Sequence, residues 1–236
     1  MAVDRTVEIR PPFFEIGPKA YAYGRQLVEL ARQADAASHA YDVQVILTPQ
    51  AVDIAAVAAA VEHVLVFAQH MDSLRPGRGV GSVLPEAVRA AGASGVLLNH
   101  VERRLSRPEL TDAIRRADEV GLATMVCADD ASDAVSIAEL APNIIIVEAP
   151  VLIAGGKRDA ADREAIASTN AAIWRVNPAI RVLHGAGISN AQDVFDVMAA
   201  GAQATGSSSA IFTAPDPVAM LESMIRAVRD AWDKTH

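Results

Sequence analysis

Polar and ionisable side chains in this chain stand at the ends of short apolar runs. Lys19 closes "GPK", His70 and Asp72 close "FAQHMD", His100 and Glu102 follow the strand-like "GVLLN", and Glu148 follows "IIIV". A carboxylate, an imidazole and an ammonium around one mouth suit proton transfer beside a carbonyl. The carboxylate takes the proton from carbon, a donor polarises the oxygen, and the cation balances the negative charge that develops. Glu148 carries most weight, because a carboxylate behind so apolar a run persists only when paired or employed. The plain alternatives are a solvated Lys19 and a satisfied core histidine at His100. His70, beside Gln69 and Asp72, reads as structural, and His39, His63, His184 and His236 stand in no comparable cluster. No spacing of His, Cys and carboxylates matches a zinc or iron site, so no metal is expected. "GAG" at 185–187 and "GSSS" at 206–209 are small-residue turns that can aim backbone N–H groups at an anion. "EAPVLIAGGK" suits a loop that closes over a ligand, and equally an ordinary connection.

These residues need a scaffold that brings strand ends together. Val/Ile/Leu-rich runs alternate with longer Ala-rich stretches, the pattern of βα units wound into a parallel sheet. Strands are expected at Phe13–Gly17, Val43–Thr48, Val64–Gln69, Gly95–Asn99, Ala123–Ala128, Ile144–Glu148, Arg181–Gly185 and Ala202–Gly206. Helices are expected at Tyr21–Ala37, Ala51–Val61, Leu84–Ala91, Pro108–Val120, Ala131–Leu140, Asp162–Val176, Ala191–Ala199 and Asp216–Trp232. Eight units imply a closed α/β barrel, with functional side chains at the C-terminal strand ends. No linker or composition shift interrupts residues 1–236, so a single barrel domain is expected. An open doubly wound sheet is the alternative, but no Gly-x-Gly-x-x-Gly or P-loop pattern supports it.

Composition narrows the partners. The chain has 236 residues, 51% of them hydrophobic but only 4% aromatic, so Ala, Val, Ile and Leu must build the core. A net charge of −8 argues against nucleic acid or an anionic membrane as a partner. No apolar run reaches the roughly 18–20 residues of a membrane span. Cys127 is the only cysteine and the start "MAVDRTVEIR" lacks the apolar core of a signal peptide, so a reducing cytoplasm is expected.

The segments "FAQHMDSLRPGRGVGSVLPEAVRAAGASGVLLNHVERR", "AIRRADEVGLATMVC", "VEAPVLIAGG" and "VLHGAGISNAQDV" together resemble the triosephosphate isomerase family, in its compact archaeal-type branch. The resemblance implies a TIM (β/α)8 barrel with Lys19 as substrate-binding cation, His100 as electrophile and Glu148 as base. It places Glu102 behind them, makes residues 149–157 the closing loop, and assigns the phosphate to the regions of Gly155, Gly187, Ser208 and Ser209. It also implies a small phosphorylated sugar as substrate, no cofactor, and a homo-oligomer, either tetramer or dimer. Three departures stand out. The family's Asn-x-Lys reads Gly17-Pro18-Lys19, Val101 replaces the serine of His-Ser-Glu, and the loop reads Ile153-Ala154-Gly155-Gly156. Gly17, which belongs to the substrate-binding set, is expected to leave a water-filled gap or room for a further hydroxymethyl carbon. Three functions follow: a triose phosphate isomerase, an isomerase of a larger ketose such as a tetrulose phosphate, or a barrel that binds a sugar phosphate without turnover.

Overall fold

The computed structural model describes residues 7–149 and 160–236, with the side chains of 160–163 left aside. Eight parallel strands close into one barrel in sequence order: β1 (Phe13–Ile16), β2 (Gln44–Leu47), β3 (Leu65–Ala68), β4 (Gly95–Leu98), β5 (Ala123–Ala128), β6 (Ile144–Val147), β7 (Arg181–His184) and β8 (Ala204–Ser207). β8 pairs back onto β1, with Glu15 opposite Gly206, so the sheet has no free edge. The expected barrel is therefore present. Most strands stop a residue or more inside their expected ends, because the ladder breaks where the chain turns out to form the mouth.

Alternation along the strands separates two cores. Phe13, Ile46, Phe67, Met125, Ile144, Leu183 and Ala204 fill the barrel interior. Phe14, Ile16, Val45, Leu47, Val126, Ile145 and Val182 face outward and pack under the helices. Full burial of each such side chain contributes on the order of 1.5–3 kcal/mol, so the floor beneath the mouth is rigid.

The helices are α1 (Gly24–Tyr41), α2 (Ile54–Ala58), α3 (Pro85–Ala90), α4 (Arg107–Val120), α5 (Ala131–Ala138), α6 (Ala160–Val176), α7 (Ala191–Ala199), α8 (Ser209–Phe212) and α9 (Pro217–Thr235). Several begin at side-chain caps. Asn190 accepts from the N–H groups of Gln192 and Asp193, Asp216 accepts from Ala219, and Ser106 forms a capping box with Glu109. Glycines stop two of the helices: Gly92 and Gly201 take φ +99° and +98° just past α3 and α7. α1 begins later than expected, at Gly24, whose N–H donates to the Asp53 carboxylate, and ends later, at Tyr41, followed by Asp42 in the left-handed region. α8 was not expected, since a serine-rich run carries no helix signal. Among the described residues no helix is long and apolar enough to cross a membrane.

Candidate active site

The C-terminal strand ends surround an open cavity of about 770 Å³. Lys19, His100, Glu102 and Glu148 all line it, as do Gly17, Gly187, Ser208 and Ser209. The sequence-expected set thus converges on one mouth. Gly155 and the closing loop from residue 150 onward lie outside the described residues.

Lys19 stands just beyond β1 with φ +46°, a left-handed conformation that a lysine adopts only when its surroundings impose it. Two amides do so. Gln69 Nε2 donates to the Lys19 carbonyl at 2.9 Å and Gln50 Nε2 at 3.3 Å. The Lys19 ammonium meets Glu102 Oε1 at 2.6 Å. Glu102, expected behind the catalytic groups, therefore touches Lys19 directly, and this contact holds its carboxyl below the ordinary carboxylate range.

His100 follows β4 on a turn pinned by Asn99. The Asn99 side chain donates to the Cys127 carbonyl at 3.0 Å and accepts from the Leu105 N–H at 3.1 Å, which ties β4 to β5. The Glu102 N–H donates to His100 Nδ1 at 3.1 Å. Nδ1 is then the lone-pair nitrogen, so the ring is neutral and carries its proton on Nε2. Burial first, and the Lys19 charge second, lower the affinity of the ring for a further proton. Both effects keep a donor, not a cation, in the cavity.

Glu148 leaves β6 with its N–H on the Ala128 carbonyl at 2.9 Å, and its side chain lies over Gly185 at the end of β7. A Cβ at Gly185 would stand 2.1 Å from Glu148 Oε1, so the glycine creates the space that the carboxylate occupies. Beyond it, Ala186 and Gly187 take φ +60° and +69° and turn the chain sharply along the cavity wall.

His39, His63, His70 and His184 have structural partners. His70 pairs with Asp72 at 3.2 Å, and Asp72 Oδ2 accepts from the Val83 N–H at 2.7 Å, closing the loop after β3. That loop is fastened to α4 by Arg116, which donates to Glu86, Glu119 and the Leu74 carbonyl. His184 meets Asn170 at 2.8 Å, and His39 stacks on His63. No group of three metal-ligating side chains gathers among the described residues.

Sequence reasoning missed Glu15. It sits in "FFEI" between Phe14 and Ile16, both fully buried, and its side chain points into the barrel. The gap expected beside Gly17 is not open space: a Cβ there would meet the Glu15 carboxyl oxygens at 3.2 and 3.5 Å. The enlarged-site expectation is corrected accordingly, because a carboxyl from two residues earlier on the same inward face fills the place.

A sequence model of the triosephosphate isomerase family matches residues 16–210. The triosephosphate isomerase of Methanosarcina mazei is 35% identical over 220 residues, which span 92% of this chain and 99% of that protein. That of Sulfurisphaera tokodaii is 32% identical over 228 residues, 96% of this chain and 99% of its own. Among solved structures, triosephosphate isomerase from Bartonella henselae superposes with a TM-score of 0.77 at 16% identity, covering 94% of this chain and all of that one, a likeness of fold. With the family match extending from β1 into α8 and full-length archaeal relatives above 30% identity, the chain belongs to the triosephosphate isomerase family.

Proposed function

We propose that the protein interconverts glyceraldehyde 3-phosphate and dihydroxyacetone phosphate, an aldose–ketose isomerisation by proton transfer. The observation that carries this reading is the convergence of Lys19, His100 and Glu148 on one cavity at the barrel mouth, in a chain whose archaeal relatives bear the name of that activity. Glu148 removes a proton from the carbon beside the carbonyl and returns it to the neighbouring carbon. His100 donates from Nε2 to the oxygen that becomes negative, the neutral-imidazole arrangement known for triosephosphate isomerases. Lys19 supplies positive charge for the enediolate and the phosphate. The backbone at Gly187, Ser208 and Ser209 lines the cavity and is assigned to the phosphate; Gly155, assigned with them by the family resemblance, lies outside the described residues.

The alternatives are weaker. Occupation of the Gly17 space by Glu15 removes the room on which a tetrulose phosphate substrate was argued. A barrel that only binds gains nothing from a base set beside a neutral donor. The homo-oligomer that the family resemblance implies remains part of this reading, and sedimentation as a monomer at micromolar concentration would count against it. We assign a reducing compartment, the cytoplasm, on the lone cysteine.

The test is a coupled assay with glyceraldehyde 3-phosphate, run beside erythrulose phosphates. Wild type turns over the triose faster, and Glu148→Gln lowers kcat by orders of magnitude with KM largely kept. Near-full activity in Glu148→Gln removes this residue as the base, and preference for the tetrulose refutes the substrate.

A further inference from the structure

We propose that Glu15 is a further substrate-contacting residue of this site, its carboxyl hydrogen-bonding the substrate's reacting oxygens in place of the side chain absent at Gly17. The inference rests on the isomerase reading above and deepens it.

The geometry is specific to this pair of positions. Residues 15 and 17 share the inward face of β1, so a longer side chain at 15 reaches the level that a side chain at 17 would occupy. Room for it comes from two glycines. Gly17 puts no side chain in the way, since a Cβ there would lie 3.2 Å from Glu15 Oε1, and a Cβ at Gly206, opposite Glu15 on β8, would lie 2.9 Å from Glu15 Oε2. Thr48 Oγ1, just beyond β2, lies 2.9 Å from Glu15 Oε1 and 3.2 Å from the Ile16 carbonyl, which fixes one carboxyl oxygen. Glu15 borders the same cavity as Lys19, His100 and Glu148.

Walled by strands, the carboxyl is poorly solvated, although one side opens on the cavity. Burial first, and the nearby Glu148 charge in addition, push its pKa up to about 8 against the opposing Thr48 hydrogen bond and Lys19 charge. At neutral pH Glu15 is therefore a carboxylic acid. Such a group has one donor and one acceptor on a planar frame, as an amide does, and can serve an oxygen that alternates between hydroxyl and carbonyl. Once ionised it would repel the enediolate.

Thr48 just beyond β2, Cys127 from β5, Glu148 beyond β6 and Lys19 beyond β1 act on it directly, and His70 beyond β3, His100, Glu102 and Arg103 beyond β4 and Ser208 beyond β8 border the same cavity. Cys127 is buried and its thiol is pushed well up, so it stays neutral through the relevant range. His100 is held neutral already, and Glu102 and Lys19 form an ion pair.

The experiment compares wild type, Glu15→Gln and Glu15→Leu in the triose assay from pH 6 to 10. Loss of a hydrogen bond to a charged intermediate lowers kcat/KM of Glu15→Leu about tenfold to a hundredfold. Glu15→Gln, which keeps a donor and an acceptor, recovers much of that loss. Wild-type kcat/KM falls as pH rises through about 8 and the glutamine variant does not share that fall. Coincident alkaline profiles, or leucine equal to wild type, overturn the proposal. If the leucine variant does not fold, the wild-type and glutamine profiles still decide. A carboxyl 13C resonance, assigned to Glu15 by its loss in Glu15→Gln, is also followed on saturation with dihydroxyacetone phosphate. A resonance that moves in an inactive protein leaves Glu15 in contact while the isomerase reading falls. In an active protein, a still resonance removes Glu15 alone.

Discussion

Gly185→Ala isolates the placement of the base from everything else. The added methyl carbon would stand 2.1 Å from Glu148 Oε1, 2.8 Å from Cδ and 2.9 Å from Cγ, whereas ordinary contacts begin near 3.4 Å. The carboxyl end must therefore retreat by about 1 Å. That movement is cheap for the fold, because Gly185 does not occupy a left-handed conformation and the obstacle is the end of a flexible side chain. It is not cheap for proton transfer, since about 1 Å of misplacement at a reacting group costs on the order of 10²-fold in rate. The expected result is a kcat about a hundredfold below wild type, a KM within a few-fold and a melting temperature within a few degrees, measured by the coupled assay and circular dichroism. A kcat within threefold of wild type would refute the claim that Gly185 sets the position of Glu148.

Gly17→Asn alone is expected to lower kcat/KM, because its Cβ crowds the Glu15 carboxyl, while adding Glu15→Val recovers activity; additivity of the two changes in a double-mutant cycle would show that the positions do not share one space. Glu15 also makes stability depend on pH: its folded pKa is raised from 4.5 to about 8, so the native state holds a proton that the unfolded chain releases, and stability falls as pH rises across that interval. The full rise corresponds to at most about 4–5 kcal/mol, an upper bound that solvent screening at the open side of the cavity lowers. Urea unfolding of Glu15→Gln at pH 5 and pH 9 should show a correspondingly smaller loss than wild type, and equal losses would contradict the raised pKa.

The barrel was legible because buried parallel strands read as nearly continuous apolar runs and each was followed by a helical stretch. That Lys19, His100 and Glu148 border one cavity was legible from their types and their positions at strand ends. The structure adds the partners that sequence does not encode locally, such as Glu102 reaching Lys19 across 83 positions of chain. Gly17 was noticed but misread, since its neighbour in space is its neighbour two residues back on the strand. The signal was present in "FFEI": a carboxylate on the inward face, flanked by apolar residues, is as anomalous as Glu148 after "IIIV". α8 and the later start of β8 gave no such sign, because small and polar residues there suit several backbone forms.

The left-handed backbone of Lys19, clamped through its carbonyl by Gln50 and Gln69, sets durability against use at a single position. A non-glycine residue held in that region costs roughly 1–2 kcal/mol, and a glycine would relieve it. On the role proposed for Lys19, replacements of this lysine would rise in a library ranked only by survival at high temperature while turnover disappeared. A campaign to toughen the protein must hold residue 19 fixed and seek its gains on the outer helices, away from the strand ends that carry the chemistry.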